Sequence, residues 1–310
     1  MNNHITVIGS INADHILSVP RLPVGGETLS LSATQLAAGG KGANQAVAAS
    51  RNGAKVAFIG ATGKDDAGHE LRRQLAKEAI DLAGVATIPN AATGRAYIMV
   101  QPSGENSILI DHGANYAVTP RQIMAHAGRI RRADFVVAQC EVPIAAIRAA
   151  FNEARAAHKT TVLNPAPAPK TLAPSLLAMV DLIVPNASES QALTGIAISD
   201  VTSMAQSAAW FHQRGVKVVI ITLGARGAYV SGAGMTELLA AREVPVVDTT
   251  AAGDTFIGAL VAQAKPDFSN LKAAVAYAMA AAALAVQHAG AQPSIPTTQA
   301  VLASMAQGNS

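Results

Sequence analysis

Cysteine is almost absent from this sequence, since Cys140 is the only one among 310 residues. A framework of internal disulfides is therefore excluded, and the chain suits a reducing compartment. The first residues show neither the basic region nor the long apolar region of a secretory signal, so we expect a cytoplasmic protein. Cys140 lies in an apolar run, which favours a buried role in packing.

Charge and long apolar runs are also scarce. Charged residues make up 14% of the chain, and 23 Lys+Arg against 20 Asp+Glu leave a net charge of +3, a balance that does not favour nucleic-acid binding. The longest apolar run, residues 273–286, is rich in alanine and too short to span a bilayer, so no membrane partner is expected. Half of the residues are hydrophobic, which suffices for the core of one large α/β unit or of two domains.

Two common phosphate-binding motifs are missing or incomplete. No G-x-x-x-x-G-K-[ST] sequence is present, which excludes a Walker-type loop. Gly40 and Gly42 begin a pattern similar to the dinucleotide-binding fingerprint, but Gln45 stands where its third glycine belongs, and no strand is predicted directly before it. The histidines show no metal-binding spacing, so no transition-metal site is predicted.

Strand and helix patterns alternate along most of the chain. The alternation predicts an α/β fold with a doubly wound, mostly parallel sheet flanked by helices. No linker divides the sequence, so residues 1–310 are predicted to form a single domain. The predicted strands are residues 5–8, 55–60, 134–138, 160–163, 182–184, 216–222 and 227–230, with a strand-like run at 244–247. The predicted helices are residues 38–51, 67–79, 119–131, 143–157 and 204–214, one that begins at 186, and others after 250.

Two excursions, at about residues 14–35 and 95–112, interrupt the alternation. The first contains strand-like ends at 15–19 and 28–33, and the second contains strands at 95–100 and 107–111 around a turn at 101–105. Together they predict a small β-sheet outside the main one. Such a sheet could cover a site, pair with a second subunit, or do both.

Polar residues follow the ends of several predicted strands. In an open α/β sheet the carboxyl ends of the strands form the edge where ligands bind. Each residue alone is also a typical cap or turn residue, and the pair Asn12 and Asp14 can be interpreted either as a turn or as two hydrogen-bonding arms. The set comprises Asn12, Asp14, Glu141, Asn164, Asn186, Glu189, Thr222, Gly224 and Asp254.

Two glycine-containing segments open helices. In residues 38–44, glycines allow a ligand to approach the backbone, and Lys41 and Asn44 can reach it from the first turn. In residues 248–260, small residues let backbone N–H groups converge on an anion at the helix start. Asp254 in that segment can accept a proton from an attacking hydroxyl group, or can simply be an N-cap.

The same two segments resemble the signatures of the PfkB, or ribokinase-like, carbohydrate kinase family. They read Ala38-Gly-Gly-Lys-Gly-Ala-Asn-Gln-Ala46 and Asp248-Thr-Thr-Ala-Ala-Gly-Asp-Thr-Phe-Ile-Gly-Ala-Leu260, and the similarity extends from Gly9 to Ser294. The resemblance implies ATP-dependent phosphorylation of a sugar, D-ribose at O5, with Mg²⁺ and a monovalent cation such as K⁺. It further implies a β-sheet lid and a homodimer formed through that lid.

The resemblance also assigns sugar and catalytic roles to positions in this chain. Asp254 is implied to be the general base that touches the primary hydroxyl, and backbone donors beside it are implied to stabilise the transferring phosphoryl group. The implied sugar ligands are Asn12, Asp14, Gly40, Lys41, Asn44, Glu141 and Asp254, and the implied donors are Ala251, Ala252 and Gly253.

Nucleotide and cation roles follow from the same resemblance. Asn186 and Glu189 are implied to hold Mg²⁺ and phosphate through water, and the nucleotide ligands are implied to include Thr222, Gly224, Gly227, Gly253 and Met279. Met279 replaces a histidine that is frequent near the adenine in the family, and it cannot donate a hydrogen bond. The implied monovalent-cation site comprises Asp248, Thr250, Ala285, His288, Gly290 and Ser294.

Two alternatives remain at this level. The first is a kinase for deoxyribose, another pentose or a nucleoside, although no base pocket for a nucleoside acceptor can be located in the sequence. The second is a non-catalytic sugar-binding or regulatory protein on the same fold. The presence of Lys41, Glu189, Gly253 and Asp254 together favours the enzyme.

Overall fold

The computed structural model describes residues 2–102 and 106–307, which form two β-sheets and their flanking helices. The strands are β1 (His4–Ile8), β2 (Asn12–Ser18), β3 (Ala33–Gly39), β4 (Lys55–Gly63), β5 (Asp81–Ile88), β6 (Gly94–Val100), β7 (Asn106–Asp111), β8 (Phe135–Gln139), β9 (Thr160–Asn164), β10 (Leu182–Ile183), β11 (Val218–Thr222), β12 (Ala228–Gly232) and β13 (Met235–Leu239). The helices are α1 (Lys41–Arg51), α2 (Asp66–Lys77), α3 (Pro120–Ala125), α4 (Ala127–Arg132), α5 (Ile144–Ala156), α6 (Pro174–Leu177), α7 (Ala187–Thr194), α8 (Val201–His212), α9 (Ala252–Gln263), α10 (Leu271–Ala285) and α11 (Thr298–Gln307).

The larger sheet has the order β13-β12-β11-β10-β9-β8-β1-β4-β5. The strands from β11 to β5 are parallel, and β12 and β13 are added antiparallel at one edge. Alternate strand residues supply two apolar clusters, so that Val7 packs with α1, α9 and α10 on one face and Ile8 packs with α5 and α8 on the other. The predicted fold class, a doubly wound and mostly parallel sheet covered by helices, is confirmed.

The smaller sheet has the order β3-β2-β6-β7. The prediction of a strand at residues 28–33 is wrong. The strand that pairs with β2 is the next segment, β3, and the pairing runs from Ser18 opposite Ala33 to Asn12 opposite Gly39. The prediction that no strand directly precedes Gly40 is also wrong, since β3 ends at Gly39 and Gly40 is the N-cap of α1. An alanine-rich segment becomes a strand here through pairing rather than propensity. Residues 103–105 of the predicted 101–105 turn lie outside the described residues.

Three further predictions differ from the structure. Strands β5 and β13 were not predicted, and the residues of the strand-like run 244–247 form no strand. The predicted helix at 119–131 is divided into α3 and α4 at His126. At His126 the backbone leaves the helical region, with φ −112° and ψ 16°. In the described part of the chain, no helix is both long enough and apolar enough to cross a membrane.

Candidate active site

Five adjacent strands of the larger sheet direct polar residues to one edge. Strands β11, β10, β9, β8 and β1 are neighbours and parallel, so their carboxyl ends lie side by side. At these ends or just after them lie polar residues that the sequence analysis singled out, namely Asn12, Glu141, Asn164, Asn186 and Thr222. Helices α1 and α9 contact each other above this edge and bring Asn44 and Asp254 to it.

Asp254 lies in the first turn of α9 and is buried, with 8% of its surface exposed. Its Oδ2 accepts a hydrogen bond of 3.1 Å from Asn44 Nδ2, and its Oδ1 accepts one of 2.9 Å from Gln45 Nε2. The alternative role of N-cap is wrong, because Ala251 occupies that position. Two amide donors therefore hold a buried carboxylate that has no role in capping its own helix.

The start of α9 has the features of an anion site. Ala251 adopts the left-handed conformation with φ 59°, and no side chain of the described residues caps the helix. A Cβ built on Gly253 would meet no heavy atom of the described chain within 4 Å. The N–H of Gly253 lies at the start of this helix, whereas the N–H of Ala252 donates to Thr249 O at 3.2 Å, so the positive end of the helix faces open space at Gly253.

A cavity of about 190 Å³ lies in front of this helix start. Lys41 and Asp254 line this cavity together with Asn186, Glu189 and Thr222. Ala251, Ala252 and Gly253 complete the wall on the side of α9.

Glu141 anchors the glycine-rich segment before α1. Its Oε2 accepts a hydrogen bond of 2.5 Å from Ser10 Oγ and one of 3.2 Å from the backbone N–H of Lys41. Ser10 Oγ in turn accepts from the N–H of Gly42 at 3.3 Å. Gly40 has φ 92°, a conformation that glycine adopts readily, and this turn places Lys41 beside the cavity.

Asn12 and Asp14 project from the same face of β2 because strand side chains alternate. Asn115, which the sequence analysis missed, donates from Nδ2 to Asn12 Oδ1 at 2.7 Å and fixes that amide. Asp14 lies against Gly39, where any Cβ would overlap its carboxylate. Asp14 Oδ1 is buried without a hydrogen-bond partner among residues 2–102 and 106–307, which leaves an acceptor for a ligand.

Four acidic groups and one lysine dominate the electrostatics of the site. Burial, assisted by the carboxylates of Glu141 and Asp254, raises the pKa of Asp14 to about 7, although Lys41 opposes the shift. Burial lowers the pKa of Lys41, but the carboxylates of Asp254, Glu141, Glu189 and Asp14 outweigh it, so the net shift is upward. Lys41 is therefore the protonated counter-ion of this acidic cluster.

Asn186 and Glu189 form a capping box at the start of α7. Asn186 Oδ1 accepts from the N–H of Glu189 at 2.8 Å, and Glu189 Oε2 accepts from the N–H of Asn186 at 2.9 Å. Burial raises the pKa of Glu189, while the N–H of Asn186 and the charge of Lys41 oppose this. Glu189 thus has the local role of a first-turn acid and also presents its carboxyl to the cavity.

The proposed nucleotide residues do not all meet in one cavity. Thr222 lines the 190 Å³ cavity, whereas Met279 lines a second cavity of about 700 Å³ with Leu239, Val244 and Pro245. Gly224 and Gly227 follow β11 with φ 59° and 97°. A Cβ on Gly227 would overlap Leu239 O, so the fold itself requires glycine at that position.

The six positions implied for a monovalent cation form a connected turn region. Asp248 Oδ1 accepts from Thr250 N and Oγ1, and its Oδ2 accepts from Gly290 N at 2.8 Å. Burial would raise the pKa of Asp248, but these hydrogen bonds lower it overall. Ala285 O accepts from His288 N, and Ser294 follows in the same segment. Carbonyl, hydroxyl and carboxylate oxygens are donors that suit a hard cation.

Cys140 is buried beside the site but has no chemical part in it. Burial raises the pKa of its thiol to about 12, so the nucleophilic thiolate is not formed near neutral pH.

This arrangement identifies the class of protein. The chain belongs to the pfkB family of carbohydrate kinases, whose sequence model matches residues 2–298. It is 42% identical to the ribokinase of Haemophilus influenzae, over 97% of this chain and 98% of that one. It is 45% identical to the bifunctional ribokinase/ribose-5-phosphate isomerase A of Fructilactobacillus sanfranciscensis over 96% of this chain, which spans 55% of that longer relative.

A solved relative has the same fold. The structure of Arabidopsis thaliana ribokinase complexed with ribose and ATP matches with a TM-score of 0.91 and 33% identity, covering 98% of this chain and 99% of the other. The predicted membership of the PfkB family is confirmed.

Proposed function

We propose that this chain transfers the terminal phosphoryl group of ATP to O5 of D-ribose, giving ribose 5-phosphate and ADP. The observation that carries the proposal is the buried Asp254 carboxylate, held by two amides beside the open start of α9. The ribokinases of H. influenzae and A. thaliana, which are similar over nearly the full length, support ribose as the acceptor.

Four side chains can bind the sugar hydroxyls. Asn12 and Asp14 reach the site from the smaller sheet, and Asn44 and Glu141 reach it from the larger one. Carboxylate and amide groups together accept from and donate to a row of hydroxyls, and they penalise a sugar that lacks one of them. Gly40 and Lys41 complete this part of the site through the backbone beside Glu141.

Asp254 is the group that can remove the O5 proton. As the proton moves to a carboxylate oxygen of Asp254, O5 becomes a better nucleophile toward the terminal phosphorus of ATP. The N–H groups of Ala251 and Gly253 and the ammonium group of Lys41 stabilise the negative charge on the transferring group, whereas the N–H of Ala252, the third implied donor, is bonded to Thr249 O. The bond from phosphorus to the bridging oxygen breaks, and ADP leaves.

Two cations are part of the proposal. Asn186 and Glu189 would hold Mg²⁺ through water, and their oxygen atoms beside the cavity fit this hard cation. Mg²⁺, when bound, neutralises charge on the nucleotide phosphates. The oxygen-rich segments at Asp248, Thr250, Ala285, His288, Gly290 and Ser294 would hold K⁺ and keep the turn before α9 in place.

The nucleotide would extend from Gly253 past Thr222 and Gly224 toward the 700 Å³ cavity. Met279 would contact the adenine through apolar packing, since a thioether cannot donate a hydrogen bond. Gly227 would support the loop rather than contact the nucleotide, because β13 fills the space where its side chain would be.

The smaller sheet would serve as a lid and as a dimer contact. Its outer row contains Leu36, His15, Tyr97 and Leu109 in register, and the two leucines are 64% and 61% exposed. Strongly exposed leucines on a regular sheet are typical of an interface. The face that carries Asn12 and Asp14 points to the sugar instead, so the two roles use opposite faces.

The direct test measures ADP release from MgATP with ribose, 2-deoxyribose, fructose or adenosine, in K⁺ or in a bulky organic cation. We expect preference for ribose and stimulation by K⁺. Asp254→Asn should lose turnover but retain ribose binding by calorimetry. Ribose binding without turnover in the wild-type protein would favour the sugar-binding regulator, and turnover with another acceptor would replace ribose.

A further inference from the structure

Gln45 is the centre of a chain of buried amides that ends on Asp254. Its Nε2 lies 2.9 Å from Asp254 Oδ1 and 3.1 Å from Asn164 Oδ1, and its Oε1 accepts from Gln139 Nε2 at 2.6 Å. Asn164 Nδ2 then donates to Val184 O at 2.9 Å. The chain connects α1, β8, β9 and the end of β10 to the carboxylate in α9.

These amides are unusually deep for uncharged polar side chains. Gln45 is 1% exposed, Gln139 0% and Asn164 6%. Burying an amide is unfavourable unless its groups are hydrogen-bonded. Apolar residues of similar size would fill the same volume without that requirement, so packing alone does not account for three amides in one row.

The charge of Asp254 fixes the orientation of the whole row. A carboxylate only accepts hydrogen bonds, so the NH₂ group of Gln45 must face Asp254 and its carbonyl must face Gln139. Asn164 must then present its carbonyl to Gln45, which turns its own NH₂ group toward Val184 O. A single arrangement satisfies these bonds, and it leaves Gln139 Oε1 without a hydrogen-bond partner among the described residues. Hydrogen bonds in such a network strengthen one another.

We infer that Gln45 is a positioning residue for the base, and that Gln139 and Asn164 hold Gln45 in the orientation that keeps the Asp254 carboxylate aimed at the acceptor hydroxyl. Gln45 is not among the residues that line the 190 Å³ cavity, so it acts through Asp254 rather than on the sugar. The inference rests on the proposed function, in which Asp254 removes the proton.

Two substitutions of Gln45 separate positioning from packing. Gln45→Met keeps the volume and removes the donor, whereas Gln45→Glu keeps the shape and puts a second carboxyl group beside Asp254. A donated N–H favours an ionised carboxylate, and a nearby like charge disfavours it. The acidic limb of the kcat–pH profile should therefore move to higher pH in both variants, and it should move further in Gln45→Glu. For Gln45→Met we expect kcat about tenfold lower, the effect of losing one hydrogen bond to a charged group. KM for ribose should change by less than about twofold.

Gln139→Met tests the row itself, because this side chain bonds to Gln45 and has no bond to Asp254. Gln139→Met should shift the acidic limb of the kcat–pH profile to higher pH, by less than the Gln45 variants do. The matched control is Asn52→Leu, which removes a buried amide at the far end of α1 that bonds to Ala48 O and Tyr277. We expect this control to lower the unfolding temperature and leave the limb in place.

The results distinguish the inference from the proposed function. If the wild-type protein phosphorylates no sugar, the proposed function fails. If it phosphorylates ribose but folded Gln45 variants keep the wild-type acidic limb, the positioning role alone is wrong. Failure of both Gln45 variants and Gln139→Met to fold, while Asn52→Leu folds, would assign the row a structural role and would also overturn the inference.

Discussion

At the scale of single residues, a substitution of Gly253 best distinguishes an effect on turnover from an effect on stability. Gly253 lies in the first turn of α9, and a Cβ added to it would meet no heavy atom of the described residues within 4 Å. We expect Gly253→Ala to unfold at the same or a slightly higher temperature, since alanine is the better helix former by about 0.5–1 kcal/mol. Turnover should fall at least about tenfold, because the added methyl group occupies the position proposed for the phosphoryl group.

The check for Gly253→Ala combines thermal unfolding with steady-state kinetics. Gly128→Ala is the matched control, since Gly128 lies inside α4 and, within the described part of the chain, its added Cβ would contact Arg132 alone, at 3.6 Å. The control should gain stability and keep its activity. Equal activity of the two variants would show that no ligand approaches Gly253.

Asp14 makes stability depend on pH. Its pKa rises from 3.8 to about 7 in the folded chain, so the folded state binds this proton more firmly than the unfolded state. The resulting contribution to the free energy of unfolding is complete below the unfolded pKa and is lost as the pH rises through about 7. Ligand-free Asp14→Asn, neutral at every pH, should therefore exceed wild type in stability at about pH 8 by at most about 4 kcal/mol.

Chemical unfolding of Asp14→Asn and wild type at several pH values tests this expectation. The difference between the two proteins should become smaller from pH 8 down to pH 5. A difference that is independent of pH would mean that Asp14 does not titrate in this range. The variant should also bind ribose more weakly, because the amide replaces an acceptor with a donor.

Residue roles could be predicted from the sequence only where a local pattern marks them. Asp254 lies in a helix-opening segment, and Asn12 and Asp14 follow a strand, so each was a candidate before any contact was known. Asn115 has no such mark, and Gln139, which directly follows the predicted strand 134–138, was not singled out; Asn115 lies 103 positions from Asn12 and Gln139 lies 94 from Gln45. Only the folded chain reveals which polar residues share a bond over such separations.

At the scale of elements, the close contact of α1 and α9 keeps Asp254 in register with its two amide donors, Asn44 and Gln45. A Cβ on Gly258 would overlap Ala48 Cβ and lie 2.5 Å from Gln45 O. Gly258→Ala should therefore push α9 away from α1 and lower the free energy of unfolding by about 1–3 kcal/mol, the usual range for overpacking. Turnover should also fall, although residue 258 lies one helical turn beyond Asp254.

Urea unfolding and kcat measure the two effects of Gly258→Ala. Val261→Ala in the same helix is a suitable comparison, because it removes buried apolar volume without forcing the helices apart. We expect Val261→Ala to lose stability and keep most of its turnover. If both variants lose stability while Gly258→Ala retains full kcat, the helix contact does not align the base.

Strands could be predicted from the sequence where consecutive residues are all buried. The central strands are apolar on both faces and form short hydrophobic runs, as parallel strands do. The two strands that were missed, β5 and β13, are the edges of the larger sheet, where one side is unpaired and the side chains are partly exposed. Their mixed sequences give no continuous run, and only pairing with β4 and β12 defines them.

At the scale of the whole molecule, the exposed row on the smaller sheet predicts self-association. We expect the wild-type protein to sediment as a dimer, and we expect Leu109→Asp to be a monomer, because a charge in an apolar interface is costly. Leu302→Asp is the control, since Leu302 is 54% exposed on α11 and lies outside this sheet. Sedimentation velocity at decreasing concentration measures the outcome. A wild-type monomer at every concentration would contradict the proposed interface.

The two sheets contribute different groups to one site. Asn12 and Asp14 belong to the smaller sheet, whereas Lys41, Asn44 and Asp254 belong to helices that cover the larger one. In the proposed function, the smaller sheet therefore supplies two of the four sugar-binding side chains and none of the groups proposed to activate the acceptor. Substitutions in the smaller sheet can alter the choice of sugar during evolution while the reacting groups stay unchanged, and exchange of this sheet between relatives is a direct way to redirect the enzyme to a new acceptor.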